Sequence, residues 1–454
     1  MAEKQYDLIV IGAGSGMLLI QYAAVNLGWE TALVEKGPLG GTCLNRGCIP
    51  SKRLIHSADI AETVRHSSRF GVRGEITGID FDGIVRKTKE HVDRQAARMA
   101  ESIKNQEIFE YYQGEAVFCS PHTLLIGDEE ISARRFVIAA GCRPRIPDIN
   151  GLSEVDFWTS NEALRPPAQP ESLIIIGGGY IAVELAHFYG ALGTRVTLIQ
   201  RSSHLLSRED EEVAAAFTEI FSTKYRVLTG ASVNRVSRTD QGLKKVTVTD
   251  GSGRVSELEA ECLLVATGLK PNTDILALEN TYMERDEQGY VKTDEYLATT
   301  QPGTWALGDI IGRAPFKHAA NREANTVAHN LIAQKKVAMD YSIMPHAVFS
   351  SPQVASVGLT EQEARSRGLD YEVRKFAYTD TAMGEAVGAD QGFVKYIVFP
   401  EKGRIAGCHI IGPQASILIH EVIVAMMTGD QSIDAILGAV HIHPSLSEVV
   451  QWGL

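Results

Sequence analysis

Residues 8–16 are LIVIGAGSG, a short apolar run followed at once by a glycine-rich turn. The apolar run is typical of a buried parallel strand, and a helical pattern continues from the turn to Leu27. A second apolar run, Thr31 to Val34, ends at the acidic residue Glu35. A strand, a glycine-rich turn, a helix, a strand and an acid in this order indicate a dinucleotide site. The alternative is a tight turn that binds no ligand.

Each residue of this first fingerprint has a physical task in such a site. A pyrophosphate would lie against the helix N-terminus and the backbone of three glycines, Gly12, Gly14 and Gly16. Glu35 would accept a hydrogen bond from a ribose hydroxyl. Met17 departs from the pattern, because this position usually holds glycine or alanine for close helix–strand packing. It predicts a locally wider or shifted helix.

A second fingerprint occupies residues 173–182, LIIIGGGYIA. It again follows an apolar strand and precedes a helix, so a second dinucleotide is expected. Its candidate binding residues are Gly177, Gly179, Tyr180 and Ile181.

The strand after the second fingerprint bears on the choice of nicotinamide cofactor. It ends at Gln200 and Arg201, where an acid would favour NAD. Because the acid is absent and arginine suits a 2′-phosphate, the sequence favours NADPH. Gln200 could still accept NADH through neutral hydrogen bonds, so both cofactors stay open.

Between the fingerprints lie residues 40–52, GGTCLNRGCIPSK, with Cys43 and Cys48 five residues apart. In a regular helix this spacing separates two side chains by roughly 140° around the axis. A disulfide would therefore need Cys43 on an irregular turn, which the flanking glycines permit. Pro50 suits the first turn of a following helix, whose N-terminus would make a nearby thiol more nucleophilic. Two unrelated buried cysteines are the alternative, which the upstream fingerprint disfavours.

This stretch resembles the redox-active disulfide of the pyridine nucleotide-disulfide oxidoreductases, whose pattern GGTC-x-N-x-GC-x-P-x-K it matches at every fixed position. The resemblance runs from about Tyr6 to Glu448. It implies an α/β protein with two Rossmann-like dinucleotide-binding domains, for FAD and NAD(P), and a C-terminal α+β dimerisation domain. It also implies that Cys48 is the flavin-facing thiolate and that Cys43 exchanges with the substrate.

The resemblance assigns tasks to further residues. Lys52 would pair with Glu184 near the flavin, although Glu184 could also be a solvated helix residue. Tyr180 would cover the nicotinamide pocket. His443 and Glu448 would be the acid–base pair, while the spacing of Ser445 and Glu448 also fits a helix capping box. The remaining cofactor-binding candidates are Lys36, Gly41, Thr42, Gly141 and Asp309 for the flavin and Gly268 for the nicotinamide nucleotide.

Composition limits the class of protein. The 454 residues carry a net charge of −12, which argues against a nucleic-acid or anionic-membrane partner. Six cysteines in so long a chain do not form a disulfide scaffold, and no metal site is expected. The first strand begins almost at Met1, which leaves no room for a signal peptide, so we expect a cytoplasmic protein. The expected segments are FAD-binding (1–147), NAD(P)-binding (148–268), returning FAD-binding (269–338) and dimerising (339–454).

The substrate is the least specified feature. The sequences GCIPSK (residues 47–52) and HPSLSE (residues 443–448) favour a dihydrolipoamide dehydrogenase, which would act on a lipoyl group or another small dithiol. Residues 316–324 look more like mycothione reductase, so reduction of a low-molecular-weight disulfide of the mycothione or glutathione type is the alternative. Arg46 either favours an anionic disulfide, stabilises a thiolate or faces solvent. The resemblance further implies a homodimer with shared active sites. A flavoprotein-like binding subunit whose dithiol is not turned over is the alternative of another class.

Overall fold

The computed structural model describes residues 4–105, 107–401 and 403–454. The chain divides into two units. The first comprises Met1–Pro50, Arg86–Arg145 and Leu269–Tyr341, and the second comprises Ser51–Val85, Ile146–Gly268 and Ser342–Leu454. The expected division into four segments, with boundaries after residues 147, 268 and 338, stays a prediction. Residues 1–3, 106 and 402 of those segments lie outside the described residues.

The strands of the described residues are, in chain order, β1 (Lys4–Tyr6), β2 (Leu8–Ile11), β3 (Thr31–Glu35), β4 (Glu110–Gln113), β5 (Ala116–Ser120), β6 (Thr123–Ile126), β7 (Glu129–Ala133), β8 (Phe136–Ile138), β9 (Cys142–Pro144), β10 (Ser172–Ile176), β11 (Arg195–Ile199), β12 (Arg226–Leu228), β13 (Ser232–Arg238), β14 (Lys244–Thr249), β15 (Val255–Ala260), β16 (Cys262–Val265), β17 (Leu269–Pro271), β18 (Thr304–Ala306), β19 (His346–Val348), β20 (Gln353–Gly358), β21 (Glu372–Ala377), β22 (Phe393–Phe399) and β23 (Arg404–Gly412).

The α-helices are α1 (Gly16–Leu27), α2 (Gly41–Arg46), α3 (Cys48–His66), α4 (Phe81–Lys104), α5 (Ser160–Ala163), α6 (Tyr180–Ala191), α7 (Glu211–Lys224), α8 (Lys317–Asn330), α9 (Glu361–Ser366), α10 (Ala382–Ala386), α11 (Ala415–Met426), α12 (Asp434–Leu437) and α13 (Glu448–Trp452). Short 3-10 helices lie at Ser67–Phe70, Leu152–Glu154, Asn272–Ile275, Leu278–Asn280, Gly308–Ile311 and Tyr378–Asp380.

The first unit contains a parallel five-stranded sheet in the order β18-β8-β2-β3-β4. All four residues of β2 are buried, which explains why this strand is apolar throughout instead of alternating. The unit also contains a four-stranded sheet, β1-β7-β6-β5, and a two-stranded pair, β17-β9. The central parallel strand β2 therefore places the first fingerprint at the carboxyl edge of the sheet, where α/β proteins bind ligands.

The second unit repeats this design and adds a different sheet. A parallel sheet, β12-β11-β10-β16, carries the second fingerprint, and a three-stranded antiparallel sheet, β13-β14-β15, lies in the same unit. The C-terminal part of the chain forms the antiparallel sheet β19-β20-β23-β22-β21 with helix α11 against it. These sheets confirm the predicted α/β class with two dinucleotide-binding folds and a C-terminal α+β part.

A buried ion network connects the N-terminus of α7 with the C-terminal sheet inside this unit. Lys395 is 1% exposed, and its Nζ lies 2.9 Å from Asp210 Oδ1 and 2.6 Å from Glu361 Oε2. Asp210 also accepts a hydrogen bond from the Glu212 backbone and so caps the N-terminus of α7. Burial acts to raise the pKa of Asp210, but its hydrogen bonds, with Lys395 the strongest, outweigh burial and lower it.

We expect Asp210→Asn to destabilise the protein at neutral pH by about 2 kcal/mol, because asparagine keeps the helix cap but leaves part of a buried lysine charge uncompensated. The lowered pKa of Asp210 means that its contribution is present above the pKa of an unfolded aspartate, about 3.9, and is lost as the pH falls toward the folded value. Chemical denaturation between acidic and neutral pH measures both effects.

The matched control is Asp240→Asn, which changes an exposed aspartate of the same unit. Its unfolding free energy should stay within about 0.5 kcal/mol of the parent protein at every pH. An Asp210→Asn protein that kept the parental stability at neutral pH would contradict the importance of this buried pair.

Candidate active site

The first fingerprint leaves an open space at one glycine and close contacts at its neighbours. Gly12 has a φ of 108°, and a Cβ there would overlap the carbonyl of Ala139 at the end of the neighbouring strand. A Cβ on Gly14 would meet nothing within 4 Å. A Cβ on Gly16 would lie 2.8 Å from Val10 Cγ1, so the close helix–strand packing falls at Gly16. Gly14 therefore leaves room for a pyrophosphate at the N-terminus of α1.

Met17 lies second in α1 and is half-buried. Because Gly16 already makes the close contact with β2, the side chain of Met17 is accommodated beside it.

Glu35 holds the turn together from the end of β3. Its Oε2 accepts a hydrogen bond from Ala13 N at 2.8 Å, and its Oε1 accepts one from Gly37 N at 2.7 Å. A carboxylate has four acceptor positions, so Glu35 can still accept a bond from a ribose hydroxyl. Lys36 is exposed, and its Nζ lies 3.9 Å from Glu115 Oε2. These residues fit the adenosine end of FAD.

The second fingerprint has the same geometry. Gly177 has a φ of 128°, and a Cβ there would overlap the carbonyl of Ala266, while a Cβ on Gly179 would meet nothing within 4 Å. Tyr180 begins α6 and is 37% exposed, and Ile181 is half-buried. Gly268, at the end of the neighbouring strand, has a φ of 114° with open space beside it. The second unit thus contains its own site for a pyrophosphate.

Gln200 and Arg201 differ in how they are held. The side chain of Gln200 folds onto its own loop, where its Oε1 accepts a hydrogen bond from Arg201 N at 3.1 Å. Its Nε2 donates to the carbonyl of His204 at 3.4 Å. Arg201 is exposed just beyond β11, at the carboxyl edge of the sheet. A guanidinium in this position is suited to a 2′-phosphate.

The cysteines lie on two successive helices. Cys43 is the third residue of the short helix α2 and is half-buried, and Cys48 is the first residue of the 19-residue helix α3 and is exposed. The irregular residue is Gly47 between them, with φ −144° and ψ −114°. The prediction that Cys43 would lie on an irregular turn was therefore wrong, because one glycine between the helices provides the break. Pro50 lies in the first turn of α3 as predicted.

Three of the four other cysteines are poorly suited to exchange chemistry. Burial raises the pKa of the Cys142 thiol to about 12 and that of Cys262 to about 11. Cys408 is fully buried, and burial raises its pKa as well. These three thiols stay protonated at neutral pH, whereas Cys48 lies at a helix N-terminus that favours a thiolate.

Lys52 and Glu184 form the predicted ion pair. Lys52 Nζ lies 2.7 Å from Glu184 Oε2, and the Glu184 side chain is 6% exposed. Glu184 Oε1 also accepts a hydrogen bond from Phe349 N at 3.0 Å, and the lysine lies over the Phe349 ring. Burial raises the pKa of Glu184, and Lys52 opposes the change. Glu184 is therefore a buried partner of Lys52 and not a solvated helix residue.

His443 and Glu448 are also in contact. His443 Nδ1 lies 2.8 Å from Glu448 Oε1, and Ser445 N donates to Glu448 Oε2 at 3.0 Å. The hydrogen bond with His443 is the main cause of a lowered pKa at Glu448. The Ser445 hydroxyl has no partner among the described residues, so only the carboxylate half of a capping box is present. The buried carboxylate of Glu448 thus orients both the imidazole of His443 and the backbone of the loop that carries it.

Asp309 lies in the 3-10 turn Gly308–Ile311, and burial raises its pKa. Glu323, which the sequence did not single out, is fully buried and fixes this turn. Its Oε2 accepts a hydrogen bond from Gly308 N at 2.6 Å, and its Oε1 accepts one from Tyr341 at 2.8 Å. No local signal marks Glu323, because its partner lies 15 residues earlier in the chain.

The predicted residues thus form separate groups. The first fingerprint, Glu35, Asp309 and the cysteines lie in the first unit, together with Gly41, exposed Thr42 and Gly141, which has a φ of 64°. The two ion pairs and the second fingerprint lie in the second unit. Among the described residues, no group of three or more potential metal ligands is present, and no helix is long and apolar enough to span a bilayer.

Comparison with known proteins agrees with this geometry. The sequence profile of the pyridine nucleotide-disulphide oxidoreductases matches residues 6–329, and the profile of their dimerisation domain matches residues 344–454. A mycothione reductase of Mycobacterium tuberculosis is 38% identical over 99% of this chain and 98% of its own. A dihydrolipoyl dehydrogenase of Geobacillus stearothermophilus is 35% identical over 98% of this chain and 94% of its own.

A solved structure has the same fold. The HOCl-induced flavoprotein disulfide reductase RclA from Escherichia coli matches 98% of each chain with a TM-score of 0.85 and 27% identity. Enzymes of this family use FAD and NAD(P)H, and the C-terminal match indicates a homodimer. The prediction made from the cysteine motif is confirmed: the chain belongs to the pyridine nucleotide-disulphide oxidoreductases.

Proposed function

We propose that this protein is an NAD(P)H-dependent reductase of a low-molecular-weight disulfide, and that Cys43 and Cys48 form its redox disulfide. The position of Cys48 as the first residue of α3, one glycine away from the helix that carries Cys43, is the observation that carries the proposal. This arrangement places the Cys48 thiol at a helix N-terminus, which favours the thiolate, and a second thiol, Cys43, close to it in sequence. The buried cysteines elsewhere do not offer this combination.

Each residue has a task in the proposed reaction. Bound FAD supplies the step that turns a hydride from NAD(P)H into two electrons for the disulfide. Cys48 holds the resulting thiolate, and Cys43 attacks the substrate disulfide, whose S–S bond breaks. One half of the substrate leaves and takes up a proton, and the other half stays on Cys43 as a mixed disulfide. Cys48 then attacks Cys43, which releases the second half as a thiol and re-forms the Cys43–Cys48 disulfide. His443 moves the proton through Nε2, since Nδ1 faces Glu448. The buried Glu184 keeps Lys52 in place.

Two features support a substrate of the mycothione type. The mycothione reductase is 38% identical to this chain, against 35% for the dihydrolipoyl dehydrogenase. Residues 316–324, which begin α8, also look like that enzyme. Dihydrolipoamide is the second candidate, because the GCIPSK and HPSLSE motifs favour it.

The C-terminal surface supports an active site shared by two subunits. Helix α11 exposes apolar side chains. Ile417 and Val424 lie on the helix and Met427 directly follows it, and each is more than half exposed. Val440 and Ile442 are 100% and 79% exposed on either side of His441. His443 itself is 68% exposed. We propose that the partner subunit covers these residues and that His443 serves the partner's cysteine pair.

The substrate proposal is tested with a panel of disulfides at fixed enzyme and NADPH. We expect mycothiol disulfide, or its truncated synthetic analogue, to be reduced with a kcat/KM at least about tenfold above that for lipoamide and glutathione disulfide, which corresponds to about 1.4 kcal/mol of transition-state binding. A Cys43→Ser enzyme is the control and should reduce none of them.

The result also separates the alternatives. A higher kcat/KM with lipoamide would favour the dihydrolipoamide dehydrogenase activity instead. Reduction of an artificial quinone acceptor without turnover of any disulfide would favour the binding subunit whose dithiol is not used.

Cofactor choice is tested at Arg201. We expect Arg201→Ala to raise the KM for NADPH by about tenfold, since it removes a charge-assisted hydrogen bond to the 2′-phosphate, and to leave the KM for NADH unchanged. Steady-state kinetics with both cofactors measure this difference.

Arg195→Ala is the matched control, because Arg195 is exposed at the opposite end of the same strand. It should leave both KM values unchanged. A strong parental preference for NADH that Arg201→Ala did not alter would show that Arg201 does not face the nucleotide.

A further inference from the structure

Lys317 is a half-buried cation without a carboxylate partner among the described residues. It is the first residue of α8. Its Nζ donates a hydrogen bond to Ser15 Oγ at 3.0 Å, and Ser15 Oγ donates to Asn321 Oδ1 at 2.9 Å. Ser15 is 7% exposed, so this chain of hydrogen bonds holds the ammonium group at the first fingerprint.

The cysteine helices begin beside the same fingerprint. A Cβ on Gly41 would lie 2.8 Å from Gly14 Cα, and Gly40 N donates to the carbonyl of Ala13 at 3.1 Å. The first turn of α2, which carries Cys43, therefore packs on the residue next to Ser15. Lys317 on α8 and Cys43 on α2 therefore reach the same turn from two different helices.

Electrostatics agree with this placement. Burial lowers the pKa of the Lys317 ammonium, and the sulfurs of Cys43 and Cys48 act in the opposite direction. No carboxylate of the described residues is among the causes of the shift. A partly desolvated cation is costly unless an anion compensates it, so a negative charge on either sulfur would be stabilised here, as would that of a pyrophosphate bound at the same turn.

We propose that Lys317 is the fixed counter-charge for the thiolate that forms when the Cys43–Cys48 disulfide is reduced, an inference that rests on the proposed function. In that step two electrons, supplied by NAD(P)H through the flavin, break the S–S bond. One proton is taken up, so that one sulfur becomes a thiol and the other remains a thiolate. Lys317 touches neither the substrate nor the proton, and it acts as a positioning charge.

The other charged groups near the cysteines in sequence are less suited to this task. Arg46 is exposed at the end of α2, where solvent screens it. Lys52 already faces the buried carboxylate of Glu184. The imidazole of His443 gains and loses its proton during turnover in the proposed reaction. Lys317 is the group whose charge stays in place while that proton moves.

The test is the pH dependence of thiol alkylation in the FAD-loaded dimer after anaerobic reduction with NADPH. Iodoacetamide labelling of Cys43 and Cys48 is followed by peptide mass spectrometry, and the thiolate–flavin charge-transfer absorbance is recorded in parallel. Parent, Lys317→Gln, Lys317→Arg and Arg322→Gln proteins are compared. Arg322 is the matched control, because it is an exposed cation on the same helix.

We expect Lys317→Gln to move both profiles to higher pH by about one unit, so that alkylation at neutral pH slows by about tenfold. Lys317→Arg should restore the parental profile, and Arg322→Gln should not change it. Unchanged profiles in Lys317→Gln would overturn the inference. So would loss of FAD from Lys317→Gln with unchanged alkylation of the dithiothreitol-reduced protein, because Lys317 would then serve the cofactor phosphates.

Failure of the proposed function is recognised separately. If Cys43→Ser reduces disulfides at the parental rate, the redox role of the pair is wrong and the inference falls with it. If Cys43→Ser is inactive while Lys317→Gln keeps the parental profiles, the proposed function stands and only the role of Lys317 is overturned.

Discussion

The close packing of the first glycine-rich turn is the constraint on which the proposed site depends. Gly12 lies against the carbonyl of Ala139, and Gly41 lies against Gly14, so the turn contacts both the neighbouring strand and the helix of Cys43. Larger side chains at these positions would separate the elements. The same backbone turn therefore fixes the place for a dinucleotide and the place where the cysteine helix begins.

Charged side chains hold the backbone of this turn and of the turn of Asp309. Glu35 and Glu323 hold backbone amides, one in the fingerprint and one in the turn of Asp309, so neither is an isolated buried charge. Lys317, in contrast, has no carboxylate among the described residues. In the proposed role, the charge of Lys317 is available to a thiolate because no carboxylate of the described residues pairs with it.

Local sequence patterns predicted the parts of the structure that depend on local geometry. The fingerprints, the acid after β3 and the first turn of α3 follow from backbone rules that act over a few residues. The break at Gly47 was missed because an irregular turn, and a short helix that ends at a glycine before a longer one, fit the same glycine-rich sequence. Glu323 and Lys317 were missed because their partners, Gly308 and Ser15, are brought to them by tertiary folding.

In the proposed mechanism, the cysteine pair of one subunit works with the histidine of the other. Mixing His443→Gln and Cys43→Ser proteins under conditions of subunit exchange tests it most directly. Each parent dimer should be inactive toward disulfides while its flavin is still reduced by NADPH. Heterodimers should recover activity in proportion to their abundance, because each contains one complete site. Subunit exchange demonstrated by mass spectrometry without any return of activity would contradict the claim.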